Sequence, residues 1–323
     1  MIVRVLVSSL AVIAFGAARA ANPAPAAPFF QFQNNFWVNL HHVIRGDARR
    51  ASLNLLAVVP FDTLSPAEQT AWSRALDAYV SLATRSLVFD PELVRINNLL
   101  TRVDTPAVAE ASLDAGIRSA LNAGAPVYRA HGWAVQQQMN EAWIAAMRPR
   151  VEPHVDAMKR ALASAYHATW RPQSIIVDAC AEAGPTSAYT TGGPAGTAGH
   201  TTIDVRSDRN VGDTGVEIMF HEASHTLDDQ IMATLERAAG QQHVSLPENL
   251  PHVLLFYTTG ELMRRELAWT GHPDYIPYGD RFQVYKNGWE RFRTALGRDW
   301  QPYLDGKTAF DDALMALVRD TAQ

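Results

Sequence analysis

The chain has 323 residues, with 28 lysines and arginines against 33 aspartates and glutamates, and its formal net charge is −5 at pH 7. This mildly acidic balance argues against nucleic acid as a partner. The single cysteine, Cys180, excludes a disulfide within the chain, so packing and any bound metal must stabilise the fold. The length allows one large core or two smaller ones.

The first twenty residues have the organisation of a secretory signal peptide. Arg4 gives a positive start, residues 5–17 form an apolar run, and the small residues Ala18 and Ala20 mark a cleavage site. The apolar run is shorter than a membrane span, and no later stretch reaches about 18 uninterrupted apolar residues. We therefore expect an exported protein, periplasmic or secreted, that begins at Ala21 and has no stable membrane insertion after signal cleavage.

A lead-in rich in proline and alanine and a first helix are predicted for residues 21–64, and a helical region for residues 65–169. Composition changes near Trp170, where glycine, threonine and β-branched residues become frequent, so we place a boundary there. The helix signals before it are a capping box at Ser65 to Glu68 with Pro66 at the first helical position, a helix start at Asp90-Pro91, and helical periodicity over 127–147 and 152–166.

Two short strand patterns follow, at residues 174–178 and 201–205, on either side of a glycine-rich connection. A helical tail closes the chain, including the pattern at residues 309–317. The whole pattern predicts an α+β fold that is mostly helical and has a small mixed sheet. Residues 170–323 form the predicted metal-binding catalytic region.

His221 and His225 stand four residues apart with Glu222 beside the first, in the pattern H-E-x-x-H. On a helix, positions i and i+4 lie on the same face, so both imidazoles can reach one metal ion while the glutamate lies beside it. Chance would give this pattern in roughly one or two of a hundred chains of this composition. Thr214 and Glu217 have capping-box spacing, which predicts that the helix begins six or seven residues before His221.

A catalytic zinc ion usually takes three protein ligands and leaves one position for water. Glu261, in a helical pattern over residues 254–265, is our candidate for the third ligand because it is a carboxylate among apolar residues. His252 lies nine positions earlier, roughly 180° around a straight helix, so the two should not both face the metal. The alternative for Glu261 is a structural ion pair with Arg264 or Arg265.

Other residues are predicted to support the site or to have structural roles. Gly260 costs about 1 kcal/mol in a helix relative to alanine, which indicates a close approach of another helix. Asp228 or Asp229 could orient a ligand imidazole. The remaining histidines considered lack a partner at metal-ligand spacing and are assigned structural roles: His41, His42, His131, His154 and His167.

On these residues the chain resembles the zincin metallopeptidases and, within them, the gluzincins, which combine H-E-x-x-H with a glutamate on a later helix. The resemblance implies Zn²⁺ bound by His221, His225 and Glu261, and a zincin-like sheet whose strand before the active-site helix is an exposed edge that pairs with extended substrate. Two features depart from the gluzincin pattern. The interval from His225 to Glu261 is long, and Arg265 stands where an acid is expected.

The resemblance implies an exported zinc metallopeptidase, a hydrolase of peptide or protein substrates. Glu222 would be the general base for a metal-activated water. Tyr257, on the same helix face as Glu261, and Tyr278, in a later loop, are candidates for stabilising the carbonyl oxygen. Two alternatives stay open: a zinc-binding exported protein without turnover, and a helical binding protein in which the motif is incidental.

Overall fold

The computed structural model describes residues 28–322, except for residues 54, 172–173, 185, 193–198 and 287. These residues form a mostly helical α+β fold with one four-stranded mixed sheet, which confirms the predicted class. The predicted signal peptide and the lead-in up to residue 27 lie outside the described residues. No helix in the described part of the chain is long and apolar enough to cross a membrane.

The sheet has the order β1-β2-β4-β3. Its strands are β1 (Phe30–Gln33), β2 (Ile175–Cys180), β3 (Ala188–Thr191) and β4 (Gly199–Asp204). β2 pairs in parallel with both β1 and β4, whereas β3 pairs antiparallel with β4, with Thr190 opposite Thr201. The prediction that the strand at residues 201–205 is an exposed edge is wrong, because β4 lies between β2 and β3. Among the described strands, β3 is the edge on this side.

Helices occupy the chain before β2, as predicted. They are α1 (Phe36–Ser52), α2 (Pro66–Tyr79), α3 (Pro91–Leu100), α4 (Ala115–Tyr128), α5 (Ala134–Val151) and α6 (Val155–Tyr166). The capping box at Ser65 is formed, and Asp90 caps α3 by accepting two backbone N–H bonds of 3.1 Å. The helix predicted over residues 127–147 is interrupted by a π-helical turn at Arg129–Trp133.

The described residues after the sheet form seven α-helices. They are α7 (Gly212–Ser224), α8 (Asp228–Gln242), α9 (Leu250–Trp269), α10 (Tyr278–Arg281), α11 (Glu290–Ala295), α12 (Gln301–Leu304) and α13 (Phe310–Thr321). The prediction of a capping box at Thr214 is wrong. α7 already begins at Gly212, the Thr214 hydroxyl donates to the Val211 carbonyl, and the Glu217 carboxylate accepts bonds from a later loop instead.

Two buried apolar clusters lie on opposite sides of the sheet. Side chains alternate between the faces of a strand, so that Val177 and Ala179 of β2 join the cluster around α7 and α9, while Cys180 joins the cluster around α1 to α4. The first cluster also contains Met147 and Phe220. Packing therefore continues across the predicted boundary near Trp170, and it holds α7 firmly against the sheet.

Candidate metal site

α7 presents the H-E-x-x-H residues from a buried position. Val216 and Phe220 are buried in the core, as the apolar pattern of the helix requires, and the His221 and Glu222 side chains are also buried, at 1% and 4% exposure. α7 ends at Ser224, and His225 begins a short 3₁₀ turn. The spacing of one helical turn is kept, because the ring centroids of His221 and His225 lie 4.9 Å apart.

A third histidine, His252 in the first turn of α9, joins this pair. Its ring centroid lies 5.3 Å from that of His221 and 5.2 Å from that of His225. One nitrogen atom from each ring lies within 4.8 Å of the other two, and this is the only such group of histidines, cysteines and acids among the described residues. Three nitrogens bound to one zinc ion at about 2.0–2.1 Å need a tighter arrangement than this limit, so the rings must close on the ion when it binds.

Glu261 lies away from this group, and His252 replaces it as the third candidate ligand. The Glu261 carboxylate accepts hydrogen bonds from Arg264 at 2.7 and 2.8 Å, from Arg265 at 2.8 Å and from Gln301 at 3.2 Å. Burial raises the pKa of Glu261, but the two arginines lower it overall. Nine residues separate Glu261 from His252, which is about 13.5 Å along α9 and half a turn around it. The ion pair left open by the sequence is the observed arrangement.

The charge states of His221 and His252 suit a metal site. Burial, followed by the charges of the other two histidines, holds the pKa of His221 well below its usual value, and burial lowers the pKa of His252 to about 4. Both rings are therefore neutral near pH 7, as ligands must be. Nδ1 of His221 is buried and has no hydrogen-bond partner in the described part of the chain. Such an orphaned nitrogen, together with the all-imidazole donor set, fits Zn²⁺.

His225 is oriented by an acid. Its Nδ1 donates a 2.9 Å hydrogen bond to Asp228, one of the two residues for which this role was considered. Burial lowers the pKa of His225, but this bond and the charges of Glu222 and Asp228 raise it overall. In the neutral ring this bond fixes the proton on Nδ1 and leaves Nε2 with a free lone pair, which is the arrangement that a carboxylate gives to a metal-binding histidine.

Glu222 contacts the edge strand. The hydroxyl oxygen of Thr190 in β3 lies 2.9 Å from both Oε2 and the main-chain oxygen of Glu222, and 2.8 Å from the hydroxyl of Thr201. Burial raises the pKa of Glu222, and the nearby His225 and the Thr190 bond oppose that rise only in part. A raised pKa makes the carboxylate a stronger base, as general-base catalysis near neutral pH requires.

Aromatic rings cover the histidine group. Phe256 stacks on His221 with 3.8 Å between ring centroids, and Trp289 meets His252 edge-on at 5.6 Å. Neither residue was singled out in the sequence. The spacing of Phe256, four residues after His252, would have indicated a shared helix face once His252 was chosen.

The two candidate tyrosines have different surroundings. The Tyr257 hydroxyl donates to Gln301 at 2.7 Å, and the Arg293 guanidinium lies 4.8 Å from its ring centroid, so Tyr257 belongs to the Glu261 side of α9. Tyr278 lies beside the site, with its ring centroid 6.1 Å from that of Phe256. Its pKa is raised by burial and further by the charge of Glu222. Only Tyr278 is brought toward the histidines.

α9 approaches α7 closely at Gly260, as the glycine indicated. A Cβ atom at this position would lie 2.9 Å from Cβ of Pro277 and 3.1 Å from Oε1 of Glu217. Glu217 accepts a 2.7 Å bond from the Tyr275 hydroxyl and a 3.0 Å bond from the Tyr278 backbone N–H. Burial nevertheless raises the pKa of Glu217 to about 7. Glu217 therefore ties the loop that carries Tyr278 to the helix that carries His221.

The histidines assigned structural roles lie outside the group. Their contacts are His41 with Tyr79, His42 with Tyr189, His131 with Glu68, His154 with Glu266, and His167 stacked on Phe310. Comparison of the chain with protein-family models, curated proteins and solved structures finds no match. The interpretation of the site therefore depends on its own geometry.

Proposed function

We propose that this protein is an exported zinc-dependent metallopeptidase whose metal ligands are His221, His225 and His252. The observation that carries the proposal is the grouping of one nitrogen from each of these rings within 4.8 Å, beside a buried Glu222. Export is supported by the signal-like organisation of residues 1–20. Bound zinc would supply Lewis-acid polarisation of a carbonyl and a lowered pKa for water in the fourth coordination position.

Glu222 is the general base in this proposal. Thr190 holds its Oε2, so Oε1 is the oxygen that takes the proton from the attacking water. The same carboxyl group then gives a proton to the departing amine, which restores the carboxylate. Tyr278 is the candidate donor to the carbonyl oxygen, although its hydroxyl also interacts with Ser187 and Arg209.

β3 supports the choice of an extended peptide as substrate. It pairs with β4 on one side and is the edge of the sheet among the described strands, and its Thr190 touches Glu222. Main-chain groups on a free edge bind an extended chain without requiring a particular sequence. A peptide added to β3 would have its backbone beside the general base.

The test uses the purified protein and three variants, Glu222→Gln, His252→Ala and Glu261→Ala. Bound zinc is measured by elemental mass spectrometry after dialysis, and cleavage is measured on a mixed peptide library. We expect Glu222→Gln to retain zinc and lose turnover by at least about 100-fold, the lower range for a general base. His252→Ala should lose zinc and turnover, whereas Glu261→Ala should retain zinc because its partners are arginines.

Two results would contradict the proposal in different ways. Full turnover by Glu222→Gln would refute the assigned base. Zinc bound at one ion per chain by the native protein, with no cleavage of any peptide, would favour the alternative of a zinc-binding protein without turnover. Zinc retention by His252→Ala would refute the ligand set.

A further inference from the structure

Two arginines beside the candidate site have no acidic partner among the described residues. Arg209, in the turn between β4 and α7, places its guanidinium carbon 4.9 Å from the ring centroid of Phe282, and Arg281, at the end of α10, lies 5.9 Å from the same centroid. Both side chains are exposed, and neither forms an ion pair with a carboxylate in the described part of the chain. Asp280, the nearest acid in sequence to Arg281, is bound by Arg293.

The turn that carries Arg209 is anchored. The buried side chain of Asn210 donates to the carbonyl oxygens of Ser187 at 3.0 Å and Asp204 at 2.9 Å, and the backbone carbonyl of Asn210 accepts a 2.8 Å bond from the Trp143 indole. The guanidinium is held by an aromatic ring and by the Tyr278 hydroxyl, whose pKa it lowers against the effect of burial. Since no acid in the described ranges pairs with the guanidinium, its charge is available to a ligand.

These arginines border the metal group through a short series of contacts. Arg209 interacts with Tyr278, the Tyr278 ring lies 6.1 Å from Phe256, and Phe256 stacks on His221. The edge strand gives the distance between Glu222 and the part of the site that Arg209 contacts. Thr190 touches Glu222, whereas Ser187, three residues earlier, interacts with Tyr278. Three extended residues span about 10 Å.

We propose that Arg209 and Arg281 form a carboxylate-binding subsite of this centre, which takes an anionic group two or three residues away from the reacting peptide bond. This inference rests on the proposed function. Guanidinium groups bind carboxylates through paired, charge-assisted hydrogen bonds, and they also interact with aromatic ring faces such as that of Phe282, over which both groups lie. The carboxylate has two possible sources: the C terminus of a substrate, or an aspartate or glutamate side chain.

The test measures binding in the Glu222→Gln protein, so that it does not depend on turnover. The probes are an N-acetylated alanine pentapeptide with a free C terminus, the same peptide as a C-terminal amide, and an amide peptide with aspartate near its end. Affinity is measured by calorimetry, and the Nε–H signals of Arg209 and Arg281 are followed by NMR. We expect the free acid to bind about tenfold more tightly than the amide, a difference of about 1.4 kcal/mol.

Arg209→Ala, made in the same background, should remove this preference for the acid while leaving the affinity for the amide within about twofold. Arg206→Ala is the matched control, because Arg206 lies three residues away and is already paired with Glu182. It should leave the preference unchanged. Tight binding of the aspartate amide would assign the subsite to side chains, and its weak binding would assign it to C termini.

Equal affinity for acid and amide, or an unchanged preference in Arg209→Ala, would overturn the proposal, as would the absence of any saturable shift of the arginine Nε–H signals. Zinc content, measured on the same samples, reports separately on the proposed function. Zinc at one ion per chain without a carboxylate preference would refute the subsite alone. A carboxylate preference in a protein that binds no zinc would refute the metal centre alone.

Discussion

The close contact of α9 with α7 at Gly260 has a measurable energetic consequence. In Gly260→Ala, the new Cβ would lie 2.9 Å from Cβ of Pro277, a stiff ring, and 3.1 Å from Oε1 of Glu217. The carboxylate has little freedom to retreat, since Tyr275 and Tyr278 both bond to it. Forcing a methyl group into such a contact costs typically 1–3 kcal/mol. The better helix propensity of alanine offsets about 1 kcal/mol of this cost.

A second glycine isolates the packing cost. Gly240 lies in α8, and a Cβ atom there would meet nothing within 4 Å. Gly240→Ala therefore gains only the propensity term, and we expect it to be more stable than the native protein by about 0.5–1 kcal/mol. The two substitutions are chemically identical, so the difference between their free energies of unfolding is the cost of the contact at Gly260, roughly 1–3 kcal/mol.

The assay is urea denaturation of the native protein and the two variants, followed by far-ultraviolet circular dichroism. The free energy of unfolding of Gly260→Ala should be lower than that of Gly240→Ala by more than about 1 kcal/mol. If the two variants gain the same stability, the helices do not approach as closely as described, and the role of Glu217 in joining them is refuted.

Three further results are expected from buried groups. The pKa of Glu217 is raised by burial from 4.5 to about 7, so the folded protein holds a proton that the unfolded chain has released in this window. The free energy of unfolding should therefore fall by roughly 3 kcal/mol as the pH rises from 4.5 to about 7. Urea titrations of Glu217→Gln at about pH 5 and pH 8 should lack this fall. Asp228→Asn should weaken zinc binding about 10–100-fold because it releases His225, whereas Asp229→Asn should leave zinc binding unchanged. Zinc affinity is measured in competition with a chelator, and equal affinities of the two variants would contradict the role of Asp228. Cys180 is fully buried and burial raises its pKa, so a thiol reagent should label it only after denaturation, and rapid labelling of the native protein would be inconsistent with the fold.

Two helix starts set by neighbouring residues were predicted correctly from the sequence, whereas the capping box expected at Thr214 does not form. The capping box at Ser65 and the Asp90 cap depend on contacts within a few residues, and both are formed. The pair His221 and His225 also follows from one helical turn. Strands β1 and β3 were missed, because β1 pairs with β2 residues that lie 145 positions later and β3 is a short strand next to the glycine-rich connection. Such pairings leave little local signal.

The choice between Glu261 and His252 could not be made from the sequence because it depends on the rotation of α9 about its own axis. Both residues lie on the same helix, on opposite sides, and each is a chemically suitable ligand. What decides between them is a tertiary contact. Gly260 faces Glu217 of α7, one helical turn before His221, and the observed rotation of α9 places His252 rather than Glu261 beside His221.

The positions of these contacts show that the two helices run in opposite directions. Gly260 of α9 contacts Glu217 of α7, and the earlier residue His252 of α9 contacts the later residue His221 of α7. Gly260 lies about 80° around the helix from His252, and Glu261 a further 100° in the same sense. Gly260 therefore lies between the two sides of α9, and in the structure His252 lies against His221 while Glu261 pairs with Arg264. A side chain at position 260 would rotate or displace α9, so the same Gly260→Ala variant that tests the packing should also bind zinc more weakly than Gly240→Ala.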